Sequence, residues 1–115
     1  MEVPQVAYDE IIRRRVAVFK ALGHETRARI VEILATEGEK CVCALVDRLG
    51  FDQSTISKHL AVLKAAGVVS SRKEGLNVVY GLRAQCVYQF MRCIDQMADD
   101  GECVLACAGA LRKKE

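Results

Sequence analysis

The sequence predicts a mainly α-helical domain that carries one small β-hairpin. Two patterns support this fold class. Apolar residues recur at helical spacing between residues 6 and 66 and again between 84 and 98, whereas the stretch between them changes to a period of two. A chain of 115 residues, 51% of them apolar and 28% charged, is long enough to form one domain with its own core. We therefore expect a single domain over residues 1–115.

Four amphipathic helices are expected before the hairpin, at residues 6–22, 25–36, 42–49 and 53–66. Gly50 and Gly67 directly follow the third and fourth helices, and glycine after the last periodic residue is a common helix end. Gly38 is expected to end the second helix in the same way, so residues 39–41 are expected to form an irregular connection.

The stretch after the fourth helix predicts a hairpin followed by further helix. One β-run begins at residues 68–70, a turn falls at residues 74–75, and a second β-run covers residues 78–80. A helix is expected over residues 84–98, and a weaker one over residues 102–111. With the first helix set aside as an arm, three helices and a two-stranded wing have the layout of a winged helix-turn-helix. A generic small α+β domain is the alternative.

Basic residues are concentrated on the predicted fourth helix and the hairpin. Residues 53–73 contain Lys58, Lys64, Arg72 and Lys73 but no acidic residue, so this window carries +4 while the whole chain carries +2. Clustered lysine and arginine side chains neutralise phosphates and release counterions. The charge distribution therefore indicates a nucleic-acid-binding surface.

The outer face of the fourth helix has side chains suited to reading base edges in the major groove. Ile56, Leu60 and Leu63 are spaced to face the core, and Asp52 or Ser54 is expected to cap the helix. The residues that we expect to contact DNA are Gln53, Ser54, Thr55, Ser57, Lys58 and His59 on the helix, and Arg72, Lys73 and Asn77 on the wing.

Five stretches between residues 21 and 82 resemble the ArsR/SmtB family of bacterial metal- and metalloid-responsive repressors. They are residues 21–30 (ALGHETRARI), 41–43 (CVC), 53–60 (QSTISKHL), 63–68 (LKAAGV) and 72–80 (RKEGLNVVY). The resemblance implies a homodimeric winged-helix repressor that binds operator DNA and leaves it when an inducer binds.

The same resemblance implies that the outer helices form the dimer interface, which places the dimerisation elements in residues 1–22 and 84–115. A two-fold dimer is also expected on physical grounds, because two recognition helices read two half-sites with greater avidity than one. In the alternative, the apolar stripes of these helices pack only within the monomer.

Cysteine is unusually frequent in the sequence. The six cysteines are Cys41, Cys43, Cys86, Cys93, Cys103 and Cys107. The sequence has no signal-peptide pattern and no membrane-spanning stretch, so a cytoplasmic location is expected, in which thiols stay reduced. Cys86 and Cys93 flank an apolar stripe and are expected to be core or interface residues.

Cys41 and Cys43 are the strongest candidates for a metal or metalloid site. Residues i and i+2 of a regular helix lie about 200° apart, so these two thiols converge more readily if Cys41 lies in a non-helical cap. Soft thiolates select soft ions, which favours As(III) as the inducer, with Cd, Pb and Zn as alternatives.

Trivalent arsenic favours three sulfur ligands, and the local pair supplies only two. The arsenic sensors of the resembling family often carry a third cysteine one turn later, where this chain has Val46. Cys103 and Cys107, spaced i and i+4, are the expected additional ligands, with Cys93 as another candidate. The resemblance implies that the third ligand can come from the partner subunit.

Other functions remain as alternatives to a metalloid-responsive repressor. Cys43 and Cys107 could form a redox pair, as in thiol-oxidation or persulfide-responsive repressors of the same fold. The family's zinc site on the last helix is not expected, because His24 and His59 both lie elsewhere. An enzyme is not expected either, because neither histidine is close in sequence to a thiol pair and the chain has no phosphate-binding glycine-rich loop. A metal carrier would not need the basic helix.

Overall fold

A computed structural model describes residues 4–100, which form α-helices around a small antiparallel sheet. The elements in chain order are α1 (Gln5–Leu22), α2 (Glu25–Glu37), β1 (Lys40–Cys41), α3 (Val42–Leu49), α4 (Gln53–Ala65), β2 (Val69–Glu74), β3 (Asn77–Leu82) and α5 (Gln85–Asp100). The predicted helices and hairpin are confirmed, with ends that differ by at most two residues. The helix expected over residues 102–111 lies outside the described residues.

The helix-turn-helix is formed by α3 and α4, and its turn depends on local backbone chemistry. Gly50 ends α3 in the left-handed conformation, with φ 84° and ψ 7°, and its N–H donates to the Val46 carbonyl at 2.8 Å. A residue with a Cβ is strained at this φ, so glycine fits the position. Asp52 then caps α4 by accepting a hydrogen bond from the Thr55 backbone N–H at 2.9 Å.

The core lies between α4, the helices before it and the sheet. Ile56, Leu60 and Leu63 are fully buried along one face of α4, as the sequence predicted. α4 packs against α1, α2, α3 and β2. The other large side chains that are fully buried are Ile30, Val31, Leu45, Val68 and Val69. This burial fixes the rotation of α4 about its own axis.

The sheet contains one strand more than the sequence analysis predicted. Residues 39–41 were expected to be irregular, and for Lys40 and Cys41 that prediction is wrong, because these two residues form β1. β1 pairs antiparallel with β3, with Lys40 opposite Tyr80 and Cys41 opposite Val79, which gives the strand order β1–β3–β2. The edge of β3 that does not face β2 supplies the hydrogen-bonding partners of β1, and the sequence pattern did not reveal this pairing.

The chain divides between Arg83 and Ala84 into two compact units. The second unit contains α5, on which Cys93 is buried while Ile94 and Met97 are exposed. The expectation of one domain over residues 1–115 stays a prediction. Over the described residues, every helix is either too short or too polar to cross a membrane.

Replacement of Leu60 by alanine is expected to lower the free energy of unfolding by about 2–5 kcal/mol, because it leaves a cavity under α4. Val62→Ala is a matched control on the same helix, since Val62 is 40% exposed and its loss is expected to cost less than about 1 kcal/mol. Urea unfolding at one fixed protein concentration measures both values. Equal losses would contradict the burial of Leu60.

Candidate nucleic-acid interface and thiol site

The polar side chains predicted on α4 lie on the face opposite its buried stripe or at its borders. Gln53, Ser54 and Lys58 are exposed, whereas Thr55 and Ser57 are half-buried. The exposed set presents an amide, a hydroxyl and an ammonium group within the first two turns. This arrangement suits contacts with base edges and phosphates.

Asp52 is the cap of α4, which answers the choice between Asp52 and Ser54. The side chain and then the backbone N–H of Thr55 hydrogen-bond to the Asp52 carboxylate and hold its pKa below the ordinary value. The Ser54 hydroxyl donates to the same carboxylate at 3.4 Å. The Asp52 carboxylate therefore lies beside the residues that were predicted to contact DNA, although Asp52 itself was not among them.

The three predicted wing residues differ in their surroundings. Lys73 and Asn77 are exposed near the tip of the hairpin. Arg72 donates to Glu39 at 2.6 Å and to Glu74 at 3.1 Å, and these two carboxylates raise its pKa further above the ordinary value. The pKa of Glu39 is lowered by the same contact with Arg72. Arg72 is thus paired within the protein, which the sequence analysis did not foresee.

His59 was expected to face DNA, and the structure places it in a network that joins three helices. Arg27 Nε donates to His59 Nδ1 at 3.2 Å, and Arg27 Nη1 donates to the Lys20 and Ala21 carbonyls at 3.2 Å each. The rings of His24 and His59 lie 4.5 Å apart. Because Nδ1 is occupied, only the Nε2 side of the imidazole remains for a contact with DNA, and that contact stays a prediction.

Burial, followed by the electrostatic effects of His24 and Arg27, holds the pKa of His59 below its ordinary value of 6.5. The sequence analysis missed Arg27 as a member of this network. The only signal available was its place in the ALGHETRARI stretch, which carries no information about a contact 32 residues away.

The thiols of Cys41 and Cys43 converge. Cys41 is the last residue of β1 and the cap of α3, with extended backbone angles of φ −79° and ψ 166°. This confirms the predicted non-helical position, and the two Sγ atoms lie 2.6 Å apart. Cys41 is half-buried and Cys43 is exposed.

The contact between the two thiols shifts their pKa values in opposite directions. The hydrogen bond between the Cys41 and Cys43 side chains, followed by the backbone N–H of Ala44, lowers the pKa of Cys41. The pKa of Cys43 is raised, first by the same hydrogen bond and then by desolvation. Cys41 is therefore the thiol that ionises first, and a thiolate is the form that binds soft ions.

A third ligand is not found near this pair among the described residues. Within residues 4–97 no three cysteine, histidine or acidic side chains form a group that could hold a metal ion. The predicted ligands Cys103 and Cys107 lie outside the described residues. On α5, Cys86 is exposed and Cys93 is buried.

A helix-turn-helix followed by a β-hairpin defines the chain as a winged helix-turn-helix DNA-binding protein. The chain belongs to the ArsR family, because the family model described as "Bacterial regulatory protein, arsR family" matches residues 24–71. Its relatives are named as transcriptional regulators, which supports a regulatory and not an enzymatic role.

Three relatives illustrate the range of the family. An uncharacterised HTH-type transcriptional regulator of Methanocaldococcus jannaschii is 41% identical over 80 residues, which cover 70% of this chain and 90% of that protein. The arsenic resistance regulator ArsR1 of Pseudomonas putida is 46% identical over 59% of this chain and 53% of its own length. A cadmium resistance regulator CadC homologue of Staphylococcus aureus is 42% identical over 64% and 61%. The chain thus matches little more than half of these two metal-resistance regulators.

Solved structures support the fold. HlyU of Vibrio cholerae superposes with a TM-score of 0.66 at 32% identity, covering 76% of this chain and 95% of that one. A homodimeric winged helix-turn-helix DNA-binding domain of Mycobacterium bovis gives a TM-score of 0.75 at 24% identity, covering 99% and 100%. These likenesses confirm the predicted winged helix-turn-helix.

Iodoacetamide is expected to modify Cys41 before Cys43 below the ordinary thiol pKa of 9.0, although Cys43 is the more exposed thiol. The reason is that alkylation proceeds through the thiolate. Timed alkylation followed by peptide mass spectrometry measures the order. In the control variant Cys43→Ala, Cys41 loses its hydrogen-bond donor and its alkylation should slow. Faster labelling of Cys43 in the unaltered protein would show that exposure, not ionisation, sets the order.

Acidification is expected to weaken the fold through His59. Because its pKa is lowered in the folded chain, the unfolded chain takes up a proton first, so stability is retained above pH 6.5 and lost as the pH falls below it. Urea midpoints measured at about pH 7.5 and about pH 5.5 should differ less in His59→Gln than in the unaltered protein. An unchanged difference would remove His59 as the source.

Proposed function

We propose that this ArsR-family regulator is a metalloid-responsive repressor. A homodimer binds double-stranded operator DNA, and As(III) or a similar soft ion bound by cysteine thiolates releases it. The observation that carries the proposal is the convergence of the Cys41 and Cys43 sulfurs at 2.6 Å, directly at the start of the helix-turn-helix. A soft-ion site there adjoins the elements that bind DNA.

The DNA-binding surface that we propose combines the outer face of α4 with the wing. Side chains on α4 enter the major groove, while basic and amide groups of the wing contact the backbone. Their exposure and the positive charge of residues 53–73 support this assignment. The residues assigned to DNA contact are Gln53, Ser54, Thr55, Ser57, Lys58, His59, Arg72, Lys73 and Asn77. Arg72 contributes only to the extent that Glu39 and Glu74 release it.

Dimerisation is assigned to α1 and to α5. On α1, Val6, Tyr8 and Val16 are 79%, 49% and 39% exposed, and on α5 Ile94 and Met97 are 49% and 58% exposed. Large apolar side chains that stay exposed on a monomer are typical of surfaces that become buried in an assembly. Two recognition helices related by a two-fold axis then address two half-sites of one operator.

The inducer is proposed to act by opening the thiol pair. In a tetrahedral site with metal–sulfur bonds of about 2.3 Å, two sulfurs lie about 3.8 Å apart, which is farther than the 2.6 Å found here. The two sulfurs must therefore separate, and we propose that the junction of β1 and α3 moves with Cys41.

Two paths carry this movement to the DNA-binding elements. α3 packs directly on α4, and β1 pairs with β3, where Val79 lies opposite both Cys41 on β1 and Arg72 on β2. A coupling free energy of about 1–3 kcal/mol along either path lowers DNA affinity by about 5- to 150-fold.

The third ligand for As(III) is proposed to be Cys103 or Cys107, from the same chain or from the partner subunit. Cd, Pb and Zn are the alternative ions, and the similarity to a cadmium resistance regulator supports Cd among them. The chemistry of the donor set fits either kind of ion, because two thiols are in place and the pKa of Cys41 is lowered.

Thiol oxidation is a second candidate, favoured by the closeness of the sulfurs and the lowered pKa of Cys41. In this reaction the Cys41 thiolate attacks a hydroperoxide, and the Cys43 thiolate then displaces hydroxide from the sulfenic acid to form a disulfide. The two thiols lose two electrons and two protons, and the hydroperoxide is reduced to water and an alcohol. The mass of the protein distinguishes the two candidates, since oxidation removes two hydrogens and the ion adds its own mass.

Replacement of both Cys41 and Cys43 by serine should leave DNA binding intact and abolish release by arsenite. Gel-shift titration on the promoter upstream of the protein's own coding region measures both properties at one fixed salt concentration. Cys86→Ser, which removes an exposed thiol on α5, is the matched control and should respond to arsenite as the unaltered protein does. Release that persists in the double variant would rule out this thiol site.

A further inference from the structure

An arginine on the wing is held between two carboxylates. Arg72 on β2 donates through Nη2 to Glu39 at 2.6 Å and through Nη1 to Glu74 at 3.1 Å. All three side chains are about half-exposed or more. The cluster contains one positive and two negative charges, so the charge of Arg72 is more than balanced at its own position.

The sheet is built so that Glu39 can reach across it. Glu39 precedes β1, and its side chain lies over Gly81 of the central strand β3 before it meets Arg72 on β2. A Cβ atom at Gly81 would lie 3.0 Å from Glu39 Cγ and 3.3 Å from Oε2. A side chain at position 81 therefore requires the Glu39 side chain to move by at least a few tenths of an ångström.

We infer that Glu39 and Glu74 withhold the positive charge of Arg72 from operator DNA and so limit the affinity of the wing. This inference rests on the proposed DNA binding. Glu39 is the decisive member, because it reaches Arg72 from the segment before β1 and depends on the open space at Gly81. It also lies two residues before Cys41, so the thiol site and the charge of the wing share one short segment.

The physical basis is competition for one guanidinium. A DNA phosphate must displace the carboxylates from Arg72, and it is also repelled by their negative charge. Both effects weaken the contact between the phosphate and Arg72. Exposed ion pairs contribute little to the free energy of unfolding. Removal of the pairs with Arg72 should therefore leave the fold intact while it changes the affinity for DNA. A freed Arg72 adds one phosphate contact and releases one more counterion.

Glu39→Gln is expected to bind the promoter about 5-fold more tightly at low salt than the unaltered protein. The slope of log K against log salt should become steeper by about one, because one further phosphate is neutralised. Glu74→Gln should shift both quantities in the same direction, since it removes the second carboxylate from Arg72. Fluorescence anisotropy over a salt series measures affinity and slope together.

Two further variants separate release of Arg72 from a simple loss of negative charge. Glu25→Gln is the matched control, because Glu25 forms an exposed pair with Arg29 on α2 at 2.7 Å and the net charge changes equally. It should leave the slope unchanged. In Glu39→Gln/Glu74→Gln, addition of Arg72→Gln should abolish the steeper slope.

A Glu39→Gln variant with unchanged or weaker binding would overturn the inference, as would a slope that stays steep after Arg72 is also replaced. These outcomes leave the proposed function standing, because the unaltered protein still binds the promoter. If the unaltered protein does not bind even at low salt, the proposed function itself fails. Glu74→Gln provides an independent test if Glu39→Gln does not fold.

Discussion

The burial of one face of α4 is the constraint on which the rest of the molecule depends. Ile56, Leu60 and Leu63 are fully buried, so the helix cannot rotate without exposing them. The outward direction of Gln53 and Lys58 follows from that fixed rotation. A surface meant to fit a groove of DNA must be rigid, and here the hydrophobic core supplies the rigidity that the polar face cannot supply for itself.

The same core explains why a small ligand site near its edge can influence DNA binding. Cys41 ends a strand and begins a helix, so it belongs to the sheet and to the helix-turn-helix at once. A close-packed interior does not absorb a displacement at such a junction locally, because neighbouring elements must move together. The proposed inducer therefore needs no direct contact with α4.

The sequence was sufficient to predict what depends on local pattern and insufficient for what depends on distant contacts. The inner face of α4 and the glycine end of α3 at Gly50 follow from periodicity and backbone preference. β1 was missed because two residues are too short to show a period of two and their partners lie about 40 residues away on β3. The contact between Arg27 and His59 was missed for the same reason.

The surroundings of Arg72 show that the net charge of a sequence window can differ from the net charge of the surface to which its residues belong. Residues 53–73 carry +4 in sequence, yet Glu39 and Glu74 lie against Arg72 and lower the charge of that surface by two. For a repressor that a bound ion must release, this reduction is consistent with the proposed function. A coupling free energy of about 1–3 kcal/mol releases the operator only if the ion-free protein binds DNA with moderate affinity. Each additional phosphate contact would raise that affinity and leave more of the protein bound to DNA in the presence of the inducer.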